Sequence, residues 1–341
     1  MDPKTENCPD SFKFGNVQVE ITSRCNLRCR TCLYAHFEPQ WNARDMSDTV
    51  LGDIYAIAPK SRSIHLQGWG ESLLRQDLVD IAHRISKTGC RVTLSTNGSV
   101  PDLKQAEGLV AAGIDSMAFS LAGHDRQTHD RLKGKGTFVK ALETIDTFNT
   151  ARKNHPKPDL VLNYLLTPEN IANLRKGLSL CKKVGADTLV GTHMVHVAST
   201  VQEKMIAYNR KEQYQLALLL ARVSVLWKRV GLVLPSMKES LVPVCSKNPV
   251  QNLFVGSDGS VSPCVYLAPP LLGGYPKIYK KKVSFSKRVV MGNLGESSLE
   301  EIWVRPAYRA FRDCFKRRID LYQALMPDIS PSFEGMERLE K

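Results

Sequence analysis

Thr22-Ser23-Arg24-Cys25-Asn26-Leu27-Arg28-Cys29-Arg30-Thr31-Cys32 follows directly on the alternating apolar run Val17, Val19, Ile21. A strand-like run thus opens into a loop that carries three thiols at Cys-x3-Cys-x2-Cys spacing. Three thiolates from one short loop suit three corners of a cubane iron-sulfur cluster better than a tetrahedral zinc site, which asks for four protein ligands. One iron of such a cubane stays open to a small molecule. The competing reading is a zinc knuckle or three packed thiols, and His36 is the fourth zinc ligand that the loop itself offers.

Outward from this loop, apolar strand-like runs recur at 17–21, 64–67, 91–95, 116–120, 160–166 and 188–194. Helical patterns lie between them near 48–58, 76–88, 101–112, 137–152 and 169–184. Strand-helix repetition at this pitch implies right-handed crossovers and a parallel sheet. Six such strands make an α/β fold, an open partial (β/α)6 barrel whose site lies beyond the carboxyl ends of its strands. The cysteine loop follows the first strand, Gly70-Glu71 the second, Asn97 the third and Ser120 the fourth, so the polar motifs share one rim.

The stretch 205–230 reads as a long helix, with Leu216, Leu219, Leu220, Val223, Trp227 and Val230 at spacings of three and four. It is expected to pack on the barrel as a bridge over 200–240. From 241 the pattern changes to short strands: 252–255, a hairpin turn at Ser257-Asp258-Gly259-Ser260, then 261–264. Ser298 and Glu301 can cap a helix that carries Trp303. The expected organisation is a leader at 1–14, a core at 15–199, the bridge, a small α+β extension at 241–320 and a loosely held tail at 321–341 with Pro327 and Pro331.

At 341 residues and 43% hydrophobic content the chain can bury one large core and a smaller one. No apolar run approaches a membrane span, and the polar N-terminus lacks a secretory signal, so a cytoplasmic protein is expected. Nine cysteines, an odd count with three clustered, fit reduced thiols better than disulfides. Cys90 and Cys181 read as packed thiols, and Cys8 falls in the leader. His193 and His196 follow the sixth strand and are either acid-base groups or structural ones.

Net charge is +13 and unevenly placed. Lys277, Lys280, Lys281, Lys282, Lys287 and Arg288 form one basic run; Arg305, Arg309, Arg312, Lys316, Arg317 and Arg318 follow on a helical stretch. Such charge attracts an acidic peptide, a phosphorylated substrate, an acidic electron donor or nucleic acid, or it is simply a solvated face.

The stretch 22–32 resembles the signature loop of the radical S-adenosylmethionine (radical SAM) superfamily. Trp69-Gly70-Glu71-Ser72 resembles its Gly-Gly-Glu-Pro motif. Ser95-Thr96-Asn97-Gly98, Ser120-Leu121-Ala122-Gly123 and the run from His129-Asp130 to Gly136-Thr137-Phe138 follow in the family's order. Cys245, then Gly259-x4-Cys264, then the run from Met291 to Trp303, is similar to the SPASM or twitch extension. The resemblance implies that Cys25, Cys29 and Cys32 hold a [4Fe-4S] cluster whose fourth iron is chelated by S-adenosylmethionine. It places Gly70 and Glu71 at the methionyl amino group, and Asn97 and Ser120 near the ribose or carboxylate. Cys245, Cys264 and Cys314 are the candidates for one auxiliary iron-sulfur cluster.

Two motifs depart from that pattern. Thr31 stands where the family has an aromatic beside adenine, with Tyr34 the nearest replacement ring; Trp69 and Ser72 replace the first glycine and the proline. The resemblance further implies reductive cleavage of S-adenosylmethionine to a 5'-deoxyadenosyl radical, fed by a donor such as flavodoxin or ferredoxin. Hydrogen is then taken from a peptide, a protein or a small polar, acidic substrate. No other catalytic residue is assigned. Epimerisation and methyl or group transfer are alternative outcomes, and a non-catalytic metal- or nucleic-acid-binding protein is the alternative class; nucleic acid and membrane are not the expected partners. Only 24 residues precede Cys25, so no fused N-terminal peptide-recognition domain is expected, and a peptide would dock on the basic extension or arrive with its own recruiting partner.

Overall fold

The computed structural model of the chain describes residues 13–207, 230–235, 245, 247–325 and the backbone of 336–339. Strand and helix alternate from the start: β1 (Phe14–Val19), α1 (Leu33–His36), α2 (Asp48–Ile57), β2 (Ser61–Leu66), α3 (Leu78–Ser86) and β3 (Arg91–Thr96). The repetition continues through α4 (Leu103–Ala111), β4 (Ser116–Leu121), α5 (Arg126–Lys133), α6 (Thr137–Arg152) and β5 (Asp159–Leu165). It closes with α7 (Leu174–Lys183), β6 (Thr188–Thr192) and α8 (Thr200–Glu203).

β1 to β6 pair in sequence order, all parallel, with Val17 beside Ile64, Ile64 beside Val92, Leu94 beside Met117 and Leu162 beside Leu189. These apolar side chains are buried and join one core. The helices cover it through stripes at spacings of three and four, such as Leu78, Ile81, Ala82 and Ile85 of α3. Their starts are set locally: the side chains of Ser47, Asp102 and Asp125 accept from the backbone N–H groups of Val50, Gln105 and Thr128.

The parallel sheet is longer than the six strands expected. β7 (Gly231–Pro235) adds beside β6, with Leu189 paired to Leu232 and Val190 to Val233. Part of the expected helical bridge at 200–240 is therefore strand, because Leu232, Val233 and Leu234 form a short apolar run that finds an open sheet edge. The helical pattern at 208–229 and the leader cysteine Cys8 lie outside the described residues.

At the other edge, β8 (Leu253–Val255) pairs parallel with β1, and β9 (Ser260–Ser262) pairs antiparallel with β8. The expected turn at 257–260 makes that reversal. β10 (Tyr275–Tyr279) and β11 (Lys282–Ser286) form a separate two-stranded sheet, while β12 (Gly292–Asn293) returns to β9. α9 (Leu299–Val304) starts with a reciprocal cap: Glu301 N donates to Ser298 Oγ at 3.3 Å and Ser298 N to Glu301 Oε2 at 3.0 Å. α10 (Pro306–Leu325) runs past the expected limit of the extension, and β13 (Met336–Leu339) pairs antiparallel with β7. The tail thus contributes an edge strand, and core and extension share one sheet of eleven strands.

Candidate functional site

Just beyond β1 the chain leaves the sheet, and Ser23 fixes its path. Its hydroxyl donates to the carbonyls of Asn42 at 2.8 Å and Arg44 at 3.2 Å, and Trp41 Nε1 donates to the Ser23 carbonyl at 2.9 Å. The cysteine loop is then held along its length. Arg28 donates to the Cys25 carbonyl at 2.9 Å, the Arg30 N–H to the Leu132 carbonyl at 2.8 Å, and Gln202 Nε2 to the Arg30 carbonyl at 3.0 Å. Tyr34 stacks on Trp41 at 4.5 Å, and the Arg28 guanidinium lies 3.8 Å from the centre of the Tyr34 ring. With both faces taken, Tyr34 braces the loop and offers no free ring to a ligand.

The three thiols sense one another's charge. Burial pushes Cys25 up to about 11 and Cys32 up to about 12, and raises Cys29 as well. A buried cation opposes this. Lys133 at the end of α5 is 7% exposed, donates to the Ser120 carbonyl at 2.6 Å, and draws Cys29 and Cys32 back down. Burial lowers Lys133 itself, while the thiols and Glu71 hold it up. Soft sulfur ligands, half-buried on one loop with one ammonium beside them, suit iron, whose charge makes thiolates stable there. The residues present therefore fit an iron-sulfur cluster. Among the described residues no three His, Cys, Asp or Glu side chains stand as the ligand shell of a single ion, and His36 faces the Arg30 carbonyl at 3.3 Å.

Gly70 and Glu71 pass directly under this loop. The Glu71 N–H donates to the Arg24 carbonyl at 2.8 Å, and a Cβ on Gly70 would lie 2.1 Å from the Thr22 carbonyl oxygen and 2.7 Å from that of Arg24. Only glycine permits that approach. The Glu71 side chain, 2% exposed, turns inward: it accepts from Thr96 Oγ1 at 2.8 Å, Leu73 N at 3.1 Å and Asn97 N at 2.6 Å. Burial raises its pKa, and these three donors oppose the rise. Asn97 Nδ2 reaches Asn26 at 3.0 Å and the Cys25 sulfur at 3.8 Å. Ser120 stands at the end of β4 with its carbonyl on Lys133. Asp130 organises the next loop by accepting from Gly136 N at 2.7 Å and Phe138 N at 2.8 Å.

Between the core and the extension runs a chain of rings. Trp41 meets Trp69 edge-on at 6.1 Å, Trp69 meets His196 at 5.0 Å, and His196 touches Tyr266 at 5.6 Å and Tyr275 at 5.7 Å. His196 is 6% exposed, and burial lowers it to about 4, so it is neutral at ordinary pH. His193 is lowered to about 4 for the same reason. In the extension, the charge of Cys245 raises Cys264 and Lys247 lowers it, which puts these two thiols within electrostatic reach of each other. Cys314 is exposed on α10 and accepts from Arg317 at 3.4 Å. Cys90 and Cys181 are buried thiols, as the pattern predicts.

Three contributors carry no mark in the sequence: Lys133, Trp41, and Glu20, whose buried carboxylate accepts from Trp69 N at 2.6 Å. Lys133 stands inside the motif run 129–138, but nothing in its spacing distinguishes it from Arg131 or Lys135.

The profile of the Radical SAM superfamily matches residues 19–181, and that of the SPASM domain, an iron-sulfur cluster-binding domain, matches residues 245–324. An AdoMet-dependent heme synthase of Methanosarcina barkeri is 29% identical over 171 residues, which is 50% of this chain and 48% of that protein. A tungsten-containing aldehyde ferredoxin oxidoreductase cofactor-modifying protein of Pyrococcus furiosus is 23% identical over 301 residues, 87% of this chain and 82% of that one. The crystal structure of Streptococcus suis SuiB bound to precursor peptide SuiA superposes with a TM-score of 0.64 at 15% identity, covering 89% of this chain and 67% of that chain. The heme synthase match thus spans about half the length of each protein; the SuiB likeness speaks to the fold.

Proposed function

Because the chain belongs to the radical SAM superfamily and carries a SPASM iron-sulfur domain, we propose that it is an enzyme of radical chemistry acting on a carbon of a peptide or protein substrate. Its resident group would be a [4Fe-4S] cluster on Cys25, Cys29 and Cys32, with S-adenosylmethionine on the remaining iron. When bound, these supply one-electron cleavage of the sulfonium and a 5'-deoxyadenosyl radical that takes hydrogen from carbon.

The chain's own residues hold and shield that chemistry. Lys133 offsets thiolate charge, Asn97 ties Cys25 to the end of β3, and the backbone at Gly70-Glu71 braces the loop from below. The Glu71 carboxylate accepts from Thr96 and Asn97, so it holds the end of β3, Asn97 included, beside the S-adenosylmethionine site. The wall of rings from Trp41 to Tyr275 excludes water from the side of the extension. Cys245 and Cys264, with Cys314 as a third candidate, would hold one auxiliary cluster that accepts an electron from the substrate. The core would span 15–199, and the extension, expected to end at 320, would run on through α10 to Leu325. A low-potential donor such as flavodoxin or ferredoxin and a reducing, cytoplasmic setting suit thiols that must stay reduced.

The observation that carries this reading is the trio of half-buried thiols on one short loop beyond β1, with Asn97 Nδ2 3.8 Å from the Cys25 sulfur and the buried Lys133 held on the Ser120 carbonyl at 2.6 Å. The peptide substrate draws its support from the basic extension; SuiB, similar in fold, was crystallised with its precursor peptide. Anaerobic reconstitution, iron counting and release of 5'-deoxyadenosine with dithionite test the cluster chemistry. Wild type should yield it and Cys29→Ala should not; a colourless, iron-free wild type would sink the proposal.

A further inference from the structure

Among the described residues the β10–β11 hairpin pairs with no third strand. β10 is anchored at the site: Tyr275 is buried against His196, Ile278 packs with Met194, Val197 and Ile206, and the Ile278 N–H donates to the Val197 carbonyl at 2.7 Å. β11 lies outside it, and its far edge has no partner strand among the described residues. Val283 and Phe285 on that strand are 69% and 67% exposed. An exposed, apolar edge strand is a ready template for another chain, and folds usually blunt such edges or cover them.

The turn adds a second observation. Tyr279 pairs with Lys282, so Lys280 and Lys281 are the two-residue loop, and both adopt positive φ, 47° and 63°. That backbone favours Asn-Gly, and lysine occupies it under strain. Lys281 N donates to Glu203 Oε1 at 2.8 Å, so the strained turn is held from α8 while its lysine side chains stay exposed. Lys277, Lys280, Lys281, Lys282 and Lys287 are all exposed, form no ion pair among the described residues, and have no acidic residue between them.

We propose that the outer edge of β11 receives an extended acidic peptide as a third strand, laying the substrate along the hairpin that roofs the site. Main-chain pairing would give affinity, Val283 and Phe285 would sort alternate side chains, and the lysines would select acidic sequence. This rests on the peptide-substrate reading above and adds where the peptide binds and what it looks like.

The probe is a fluorescent decapeptide of alternating glutamate and valine, titrated into the reconstituted full chain. Binding should weaken about tenfold when alternate peptide amides are N-methylated, and should fall with added salt. Lys280→Asn with Lys281→Gly keeps the hairpin, since Asn-Gly prefers that turn, yet should also weaken binding about tenfold. Amide hydrogen exchange at 282–286 should slow when the peptide binds. Unchanged exchange there, equal binding of the N-methylated peptide, or equal binding of a ten-residue oligothymidylate would overturn the proposal. Release of 5'-deoxyadenosine without peptide reports separately on the cluster chemistry.

Discussion

Glu20 and Ser257, 237 positions apart, meet through two hydrogen bonds onto one carboxylate oxygen: Ser257 N at 3.3 Å and Ser257 Oγ at 3.1 Å. The other Glu20 oxygen accepts from Trp69 N at 2.6 Å. One buried carboxylate therefore fastens the end of β1, the loop beneath the cysteines and the hairpin turn of the extension.

Burial outweighs those donors and raises Glu20 to about 7 from an ordinary 4.5. The folded state thus holds this proton more tightly than the unfolded chain. Its contribution is fully present below pH 4.5, declines as pH rises and is gone above about 7, a span worth about 3 kcal/mol. The Asp258 charge raises Glu20 further, and Asp258 is itself paired with Arg288 at 2.8 Å. Chemical denaturation at several pH values should show this slope in wild type and its loss in Glu20→Gln. An equal slope in both would assign it elsewhere.

Gly70→Ala must displace backbone, since the nearest atom to the new methyl would be the Thr22 carbonyl oxygen at 2.1 Å. The expected cost is about 1–3 kcal/mol, seen as a lower melting temperature, with iron retention reduced after reconstitution. Gly52→Ala is the control, because nothing lies within 4 Å of its added Cβ. Equal behaviour of the two variants would show that the loop is not held as described.

Lys133→Met removes the buried ammonium that draws Cys29 and Cys32 toward ionisation. Iron affinity, measured by competition with a chelator, should fall at least about tenfold, as it does when groups supporting a metal site are lost. Lys133→Arg, which keeps the charge, should recover part of it. A Met variant that holds iron as tightly as wild type would reduce Lys133 to a packing role.

Much of this arrangement is legible in the chain before folding. Cys25, Cys29 and Cys32 are close in sequence, so their spacing alone announces a shared ligand. The alternation of strand and helix announces a parallel sheet, since the periods two and 3.6 are local properties. The Ser298–Glu301 cap is equally local. Strand β7 was hidden because five residues, Gly231–Pro235, are too few to outweigh the helical pattern before them. The inward turn of Glu71 was hidden because its three donors, Leu73, Thr96 and Asn97, include two from another strand's end.

The thiol trio, the barrel class and the basic run at 277–288 are written in the chain, because covalent neighbours and periodic burial decide such features. Folding is what stands Lys133 by the sulfurs, clasps Glu20 to Ser257, joins β8 to β1 and leaves β11 without an outer partner strand among the described residues. Each of these depends on pairing or burial between segments far apart in the chain. Such contacts form only when the sheet brings together groups whose desolvation must be answered by a partner, and no local pattern encodes which partner that is.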